Sequence, residues 1–572
     1  MVTTLHPWVP LAAALFPLLV AAGCALPATR SVAARLAPLA ALPALAAALL
    51  VPDGTVRAEW LLGGISVGLD ATGRAFLALA AGVWTAAALY SAAHPPARQA
   101  WFTGWFSLSM AGNLALCCVT DPAAFYTFFA MMALPAYALV AHEGGPARSA
   151  GRAYMAFTVA GEALLVCGLF VVAATAAGIE AGPVLGPAGI VLVLAAFGIK
   201  IGALGLHGWM PVSYQAAPAA AAAALAGAMS KAGVLGLVRF LPGGQPEGTV
   251  FGGVVMAFGI AAAFYGALVG VTQTRPKAVL AYSSISQFGL ITIALGAGLA
   301  EPGVWLLAVS AATVYAVHHG LAKAALFLGE DVASRSARRW PALAGLALPA
   351  LALAGLPLTS GAVAKLVLKE ATGALSGGWH DALEILLPLA AVGTTLLMAR
   401  FLFLVATGSV EARRSERGAA PGPLGVAAWV LLLAAVAATL WAWPLADTRY
   451  AAEKSLTAHY LWLATWPAAL GIALAAGAWL ARAVASRAAG RIPPADVYAP
   501  LLSLADRIAE RRDQSVRERP AAPAAPVPEP VAAEPAMLAR ADAIERALLT
   551  WATAASAIGA LAVLMLLLAV RL

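Results

Sequence analysis

Apolar residues in this chain neither alternate nor form helical stripes. They come in near-continuous runs of about twenty residues, cut by short polar or Gly/Pro-rich joints. A helix needs ~20 mostly apolar residues to cross a bilayer, and backbone groups within lipid must be satisfied inside the helix itself. Sixteen runs meet this length, near 9–26, 36–51, 73–93, 101–119, 121–141, 154–177, 184–206, 218–240, 249–273, 279–299, 303–329, 341–368, 382–407, 424–445, 461–481 and 546–570. The first has no Lys or Arg before it and fifteen runs after it, which reads as a span and not as a cleaved leader. The predicted fold class is all-α, a polytopic membrane protein of about 16 transmembrane helices.

Composition agrees and removes other classes. The 572 residues are 62% hydrophobic and 11% charged, with a mean hydropathy of +0.86, against roughly 45–50% and 25% in soluble domains. So few charges cannot cover a soluble surface. The four cysteines, Cys24, Cys117, Cys118 and Cys167, show no C-x-x-C spacing and are too few for a disulfide scaffold. No haem or dinucleotide motif is visible, so neither a cofactor nor a metal is expected, and redox chemistry would belong to other chains.

The basic residues are sorted. Arg148 and Arg152, Arg275 and Lys277, Arg335, Arg338 and Arg339, and Arg413, Arg414 and Arg417 all fall in odd-numbered loops. The even-numbered loops and the C-terminus carry only Arg57, Lys369, Arg449, Lys454 and Arg571. By the positive-inside rule the odd loops are cytoplasmic and both termini lie outside, in a prokaryotic cytoplasmic membrane. This bias accounts for most of the net charge of +8, and no nucleic-acid partner is needed. Residues 490–543 form one long connector, with an amphipathic stretch from Val497 followed by a Pro/Ala tract from Pro520 to Pro535. It reads either as a solvated cytoplasmic loop or as a helix lying along the membrane against a neighbouring subunit.

Seven basic residues remain within or at the ends of spans: Arg74, Lys200, Lys231, Arg239, Lys323, Lys365 and Arg400. An ionisable group at bilayer depth costs ~2.5–3.5 kcal/mol even on lenient scales, so it marks function by default. Four of the chain's seven lysines are in this set, and a buried lysine can release its proton where an arginine cannot. With Glu162, His318 and His319 they suggest a mid-membrane proton relay, histidine being suited to it by titrating near neutral pH. Structural anchoring competes for Arg74 and Arg239 at span ends, and a hydrogen-bonded core role competes for His318.

Two spans also carry helix-breaking sequences. Lys200 precedes Gly205-Leu-His-Gly-Trp-Met-Pro211, and Lys365 follows Gly355-Leu-Pro-Leu-Thr-Ser-Gly361, which marks His207, Pro211 and Pro357 as helix-break residues. Glu162, Lys200 and Lys231 are echoed by His319, Lys365 and Arg400 at offsets of 157, 165 and 169 residues. Five spans separate each pair, so the second unit is inverted relative to the first, as in transporters built from repeats. His319 and Lys323 are i, i+4 neighbours, as are Lys365 and Lys369. The expected organisation is three leading helices in 1–100, an inverted repeat in 101–240, its counterpart in 249–407, two helices in 424–485, the connector, and a last helix at 546–570.

The ordered blocks Leu206-His-Gly-Trp-Met-Pro-Val-Ser-Tyr-Gln-Ala-Ala-Pro218, Leu225–Arg239, Lys277–Gly289, His319–Gly329 and Gly355–Lys365 resemble the antiporter-like subunit family. That family covers the large proton-pumping subunits of respiratory complex I, Mrp-type antiporter subunits, and membrane subunits of energy-converting hydrogenases. The resemblance implies that Lys200 is the seventh-helix lysine and Lys231 the eighth-helix lysine. It places His319 and Lys323 on the central axis, and Lys365 at the twelfth-helix lysine. It further implies a non-redox subunit of a translocating oxidoreductase, with other membrane subunits and the lipid bilayer as partners. One departure stands out. The family's fifth helix carries a glutamate where this chain reads Phe129-Ala-Met-Met132, with Ala130 at that position. Glu162, on the next span, is the candidate replacement. The same residues leave open an Mrp-type Na⁺(K⁺)/H⁺ antiporter subunit, a proton-driven partner in inorganic-carbon uptake, or a degenerate scaffold.

Overall fold

The computed structural model describes residues 7–59, 64–175, 186–336, 339–408, 421–439, 446–480, 492–493, 496–500, 503 and 507. Among them, eleven helices are long and apolar enough to cross a membrane. Four further expected spans fall on shorter helical stretches: Gln99–Ala115, Pro187–Ile201, Arg339–Ala354 and Pro423–Ala438. The sixteenth, 546–570, lies outside the described residues, as does the Pro/Ala tract. The Ala-rich second run is interrupted, as Arg30–Leu36, a 3₁₀ turn at Ala37–Leu39, and Leu42–Leu50.

One element was not foreseen. Gly54–Ala58 and Ile65–Leu69 form an antiparallel hairpin with Gly54 opposite Leu69, in a stretch that the span count treats only as a joint. Gly68 is obligatory there, with φ +145° and a position where a Cβ would lie 1.9 Å from the Gly54 carbonyl. The hairpin is tied to the helices by an Asp121 carboxylate oxygen, which accepts from the Ser66 amide at 3.1 Å. Asp121 also caps the Pro122–Ala133 helix through the Ala124 amide at 2.8 Å, with proline in the first turn where no amide is needed. Asp70 caps Ala71–Ala93 in the same way through Gly73.

The core centres on three long helices, Thr249–Val271, Pro276–Ala300 and Trp305–Arg335. The first two meet on glycines. A Cβ on Gly289 would sit 2.5 Å from the Gly259 carbonyl, and one on Gly259 would sit 2.7 Å from that of Gly289. Small residues permit this approach where the apolar solvent supplies no hydrophobic drive between helices. Trp305–Arg335 is buried almost continuously from Ala308 to Ser334. At 31 residues and ~1.5 Å per residue it is longer than the hydrocarbon layer.

Both helix breaks are present. Pro187–Ile201 ends on Gly202 in the left-handed region (φ +66°), and Gly205 (φ +84°) turns the chain before Trp209–Ala216. Pro211 sits in the first turn of that second helix, where its missing amide costs no bond. The second break separates Arg339–Ala354 from Ser360–Gly373, with Gly355 at φ +82°, Pro357 in the gap and Leu358 at φ +62°. A third irregularity is a π-helical turn, Leu225–Met229, between Ala219–Ala224 and Lys231–Phe240. The π turn presses on the central helix, since a Cβ on Gly320 would lie 2.5 Å from the Gly227 carbonyl.

Candidate functional site

The π turn positions Lys231. Its widened ring leaves carbonyls free of their usual partners, and the Lys231 ammonium donates to the Ala226 carbonyl and to Ser230 Oγ at 3.3 Å. Lys231 Nζ also lies 4.9 Å from the ring centroid of Phe288. The Phe288 ring in turn meets the His319 imidazole edge-on at 5.1 Å. One aromatic ring therefore stands between two of the candidates. His319 is fully buried, and neither ring nitrogen has a hydrogen-bond partner among the described residues.

One helical turn on from His319, Lys323 is also fully buried and donates to the Leu280 carbonyl at 2.7 Å. His318 Nδ1 pairs with Ser360 Oγ at 2.8 Å, and Ser360 opens the helix just after the second break. The Lys365 ammonium donates to the Ala354 carbonyl, which is exposed by that break. Lys365 lines a cavity of about 90 Å³ with Leu290, Leu366, Lys369, Tyr460 and Pro467. The fold thus gathers Lys231, His318, His319, Lys323 and Lys365 around the Trp305–Arg335 helix. Among the described residues the three lysines have carbonyl or hydroxyl partners and no carboxylate.

Glu162 and Lys200 sit apart from this group. Lys200 occupies the last turn before the first break, with its ammonium over the rings of Phe129 (5.2 Å) and Tyr154 (5.9 Å). Glu162 enters the same small cavity from the Pro146–Thr175 helix, together with Thr158 and Trp209. Neither carboxylate oxygen has a partner among the described residues, so the two groups face each other without a direct ion pair. The space between them is about 10 Å³, the size of about one water. Phe129 and Ala133, which flank Ala130, line that cavity. The acid facing Lys200 therefore comes from the neighbouring helix.

Two candidates remain, Lys369, which shares the Lys365 cavity, and Arg400, which lies elsewhere. Lys369 is 35% exposed and stands 3.7 Å from Glu384. Arg400 donates from Nε and Nη2 to the Gln273 carbonyl at 3.1 and 3.0 Å, near the end of the Thr249–Val271 helix. The span-end arginines are anchored. Arg239 pairs with Asp70 at 3.1 Å, and Arg74 with Asp53 at 2.6 Å and the Ala48 and Val51 carbonyls.

Comparison with known proteins bears on this constellation. Residues 120–380 match the family model described as NADH:quinone oxidoreductase/Mrp antiporter, TM. The chain is 28% identical over 381 residues to subunit N of NADH-quinone oxidoreductase from Desulforudis audaxviator, covering 61% of this chain and 73% of that one. Over this segment the chain is similar to antiporter-like membrane subunits. An uncharacterized Mycobacterium tuberculosis protein is 30% identical over 379 residues, or 60% of this chain, which spans only 58% of that relative. The Mrp complex of Dietzia sp. superposes with a TM-score of 0.71 at 21% identity, over 93% of this chain and 65% of that one, a likeness of fold.

Several polar residues of the chain escaped the sequence reading. Gln287 accepts from the Tyr315 hydroxyl at 2.8 Å and donates to Thr394 at 3.0 Å, all three buried. Its signal was present, a glutamine and serines within the apolar 279–299 run. Asp331, just past the end of the 303–329 run, accepts from the Tyr90 hydroxyl at 2.6 Å and the Arg335 guanidinium at 2.6 Å. Asp496 had no signal. It lies in the connector, yet its carboxylate is buried against His207 at the first break, accepting at 2.9 Å from Nε2. Tyr265 and Tyr282 add hydroxyl donors at 2.7 and 2.6 Å. Burial alone would raise this carboxyl, but donation from His207, Tyr282 and Tyr265 holds it below the usual carboxylate range.

Proposed function

We propose that this antiporter-like subunit moves protons across a prokaryotic cytoplasmic membrane as a non-redox member of a multi-subunit complex. The relay would run from Glu162 and Lys200 through Lys231, His319 and Lys323 to Lys365. The observation that carries this reading is the row of three amines set against carbonyls between two helix breaks, Lys231 and Lys323 buried and Lys365 half-buried, with no described carboxylate to fix their charge. A permanently charged, unpaired ammonium in such a place is costly. A group that gains and loses a proton in turn carries that charge only part of the time. His319, with both nitrogens free of described partners, can accept on one and release from the other. Glu162, facing Lys200 across room for one water, would substitute for the family glutamate missing at Ala130.

Lys231→Ala in the purified, reconstituted complex tests the reading. The expected result is loss of proton flux under an imposed diffusion potential, with subunit assembly retained. Flux at the wild-type rate would refute it. Repeating the measurement with Na⁺ or K⁺ gradients separates proton pumping from cation/proton exchange, since only exchange makes proton flux depend on the metal cation.

A further inference from the structure

The connector is docked on the first helix break by a built site that the proposed relay does not use. Asp496 is one of three non-glycine residues with positive φ among the described residues (φ 41°). A backbone held in this region persists only where its surroundings fix it, and such residues cluster at functional sites. Here the surroundings are specific. The Asp496 carboxylate, 3% exposed, receives the His207 Nε2 proton and the Tyr265 and Tyr282 hydroxyls. Tyr498, two residues on, donates to the Gly205 carbonyl, and its ring packs edge-on to His207 at 5.8 Å and Phe157 at 5.5 Å. Gly208 makes room for that ring, since a Cβ there would meet it at 2.4 Å. The Ile492 carbonyl accepts from Gln273 at 3.2 Å, pinning the segment a second time.

The imidazole is the informative member. His207 is 1% exposed, and its Nδ1 has no partner among the described residues. A carboxylate on Nε2 fixes the tautomer and leaves Nδ1 as the free acceptor. Once Nδ1 takes a proton, the imidazolium and the Asp496 carboxylate form a neutral pair, so loading adds no net buried charge beyond that already present. Among the described residues the groups facing the carboxylate are His207, Tyr265, Tyr282 and Tyr498, and none of them is a second acid.

We propose that Asp496 is a positioning residue for proton entry. From the connector it orients His207 at the first helix break, and His207 Nδ1 loads and unloads protons for the Lys200 half of the path. The inference rests on the proton-relay reading, and in the charge-based orientation the site faces the cytoplasm. The step is a proton transfer only, a proton arriving at Nδ1 to give an imidazolium and leaving as the neutral ring is restored.

The test uses the reconstituted complex carrying Asp496→Asn, Asp496→Glu or Gly208→Ala. Docking is read as the rate of tryptic cleavage after Arg491 in the detergent-purified complex, and function as proton flux across a range of pH. The amide oxygen of asparagine can replace Oδ2 as acceptor, at the loss of the Val497 amide bond to Oδ1, so the connector should stay largely protected while the flux profile moves to the acid side, the imidazolium having lost its counter-ion. Glutamate should restore most of the profile. Gly208→Ala crowds Tyr498 and should expose the connector, which carries Asp496 off His207, so its flux profile should move to the acid side as well. A docked Asp496→Asn complex with the wild-type pH profile would overturn the proposal. If Asp496→Asn also undocks, the two variants should share one acid-shifted profile, and an undocked Gly208→Ala complex with the wild-type profile would overturn it. Lys231→Ala in parallel separates the two claims. Normal flux there defeats the relay, whereas a dead Lys231→Ala beside an unshifted Asp496→Asn defeats only the role of Asp496.

Discussion

Replacing Phe288 with leucine probes the junction between Lys231 and His319. The ring is buried, its face 4.9 Å from the Lys231 ammonium and its edge turned to the His319 ring at 5.1 Å. Leucine keeps the site apolar and close in volume, so the cost to stability should stay below about 1.5 kcal/mol. What leucine lacks is the ring quadrupole. A desolvated cation–π contact is worth about 2 kcal/mol, and it favours only the charged form of the lysine. Losing it should lower the proton-binding constant of Lys231 about 30-fold, so that the same loading demands a medium about 1.5 pH units more acidic. The assay is proton flux in liposomes holding the assembled complex, measured from pH 6 to 8 for wild type, Phe288→Leu and Phe288→Tyr. Flux through Phe288→Leu should fall most at the alkaline end and recover on acidification, while tyrosine, which keeps the ring face, should remain near wild type. A leucine variant with wild-type flux at every pH would show that Lys231 is not loaded at this ring.

Three other outcomes follow from the same geometry. Lys231→Ala should abolish flux without loss of assembly, as set out above. Gly361→Ala would place a Cβ 1.7 Å from the Ala352 carbonyl and close to the His318 ring, so the second break should rearrange. Reduced yield of folded complex on size-exclusion chromatography checks this, and a normally assembled, active variant would contradict the close packing. Docking of the connector should depend on pH in one direction only. The Asp496 carboxyl is held below its ordinary value of about 3.8. Its contribution is therefore complete above that value and lost as pH falls further. Amide hydrogen-exchange protection of residues 496–498, relative to the intrinsic rate at each pH, should thus be unchanged between pH 5 and 8 and fail only below about pH 4.

The helical, membrane-spanning architecture was legible because lipid leaves the chain few options. Every backbone group must be satisfied locally, so the apolar runs had to become helices, and fifteen of the sixteen expected spans coincide with helical stretches. Charge within those runs was legible for the same reason, its cost making Lys200, Lys231, Lys323 and Lys365 conspicuous. The breaks were announced by glycine and proline, whose backbone properties are local. The hairpin at 54–69 was not announced, because five-residue strands between long apolar runs give too little pattern to separate from a loop.

What each charge touches was decided only in three dimensions. Sequence placed Lys369 and Arg400 with the other ionisable groups; Lys369 does share the Lys365 cavity but stands beside Glu384, and Arg400 donates to a loop carbonyl. Phe288 read as one more apolar residue, and only packing set it between a lysine and a histidine. Asp496 and His207 are 289 residues apart, and nothing in the local pattern of either points to the other. Hydrophobicity and backbone preference act along the chain and can be read there. Pairing of a carboxylate with an imidazole depends on which distant segments the packed helices leave adjacent, and only the tertiary structure supplies that.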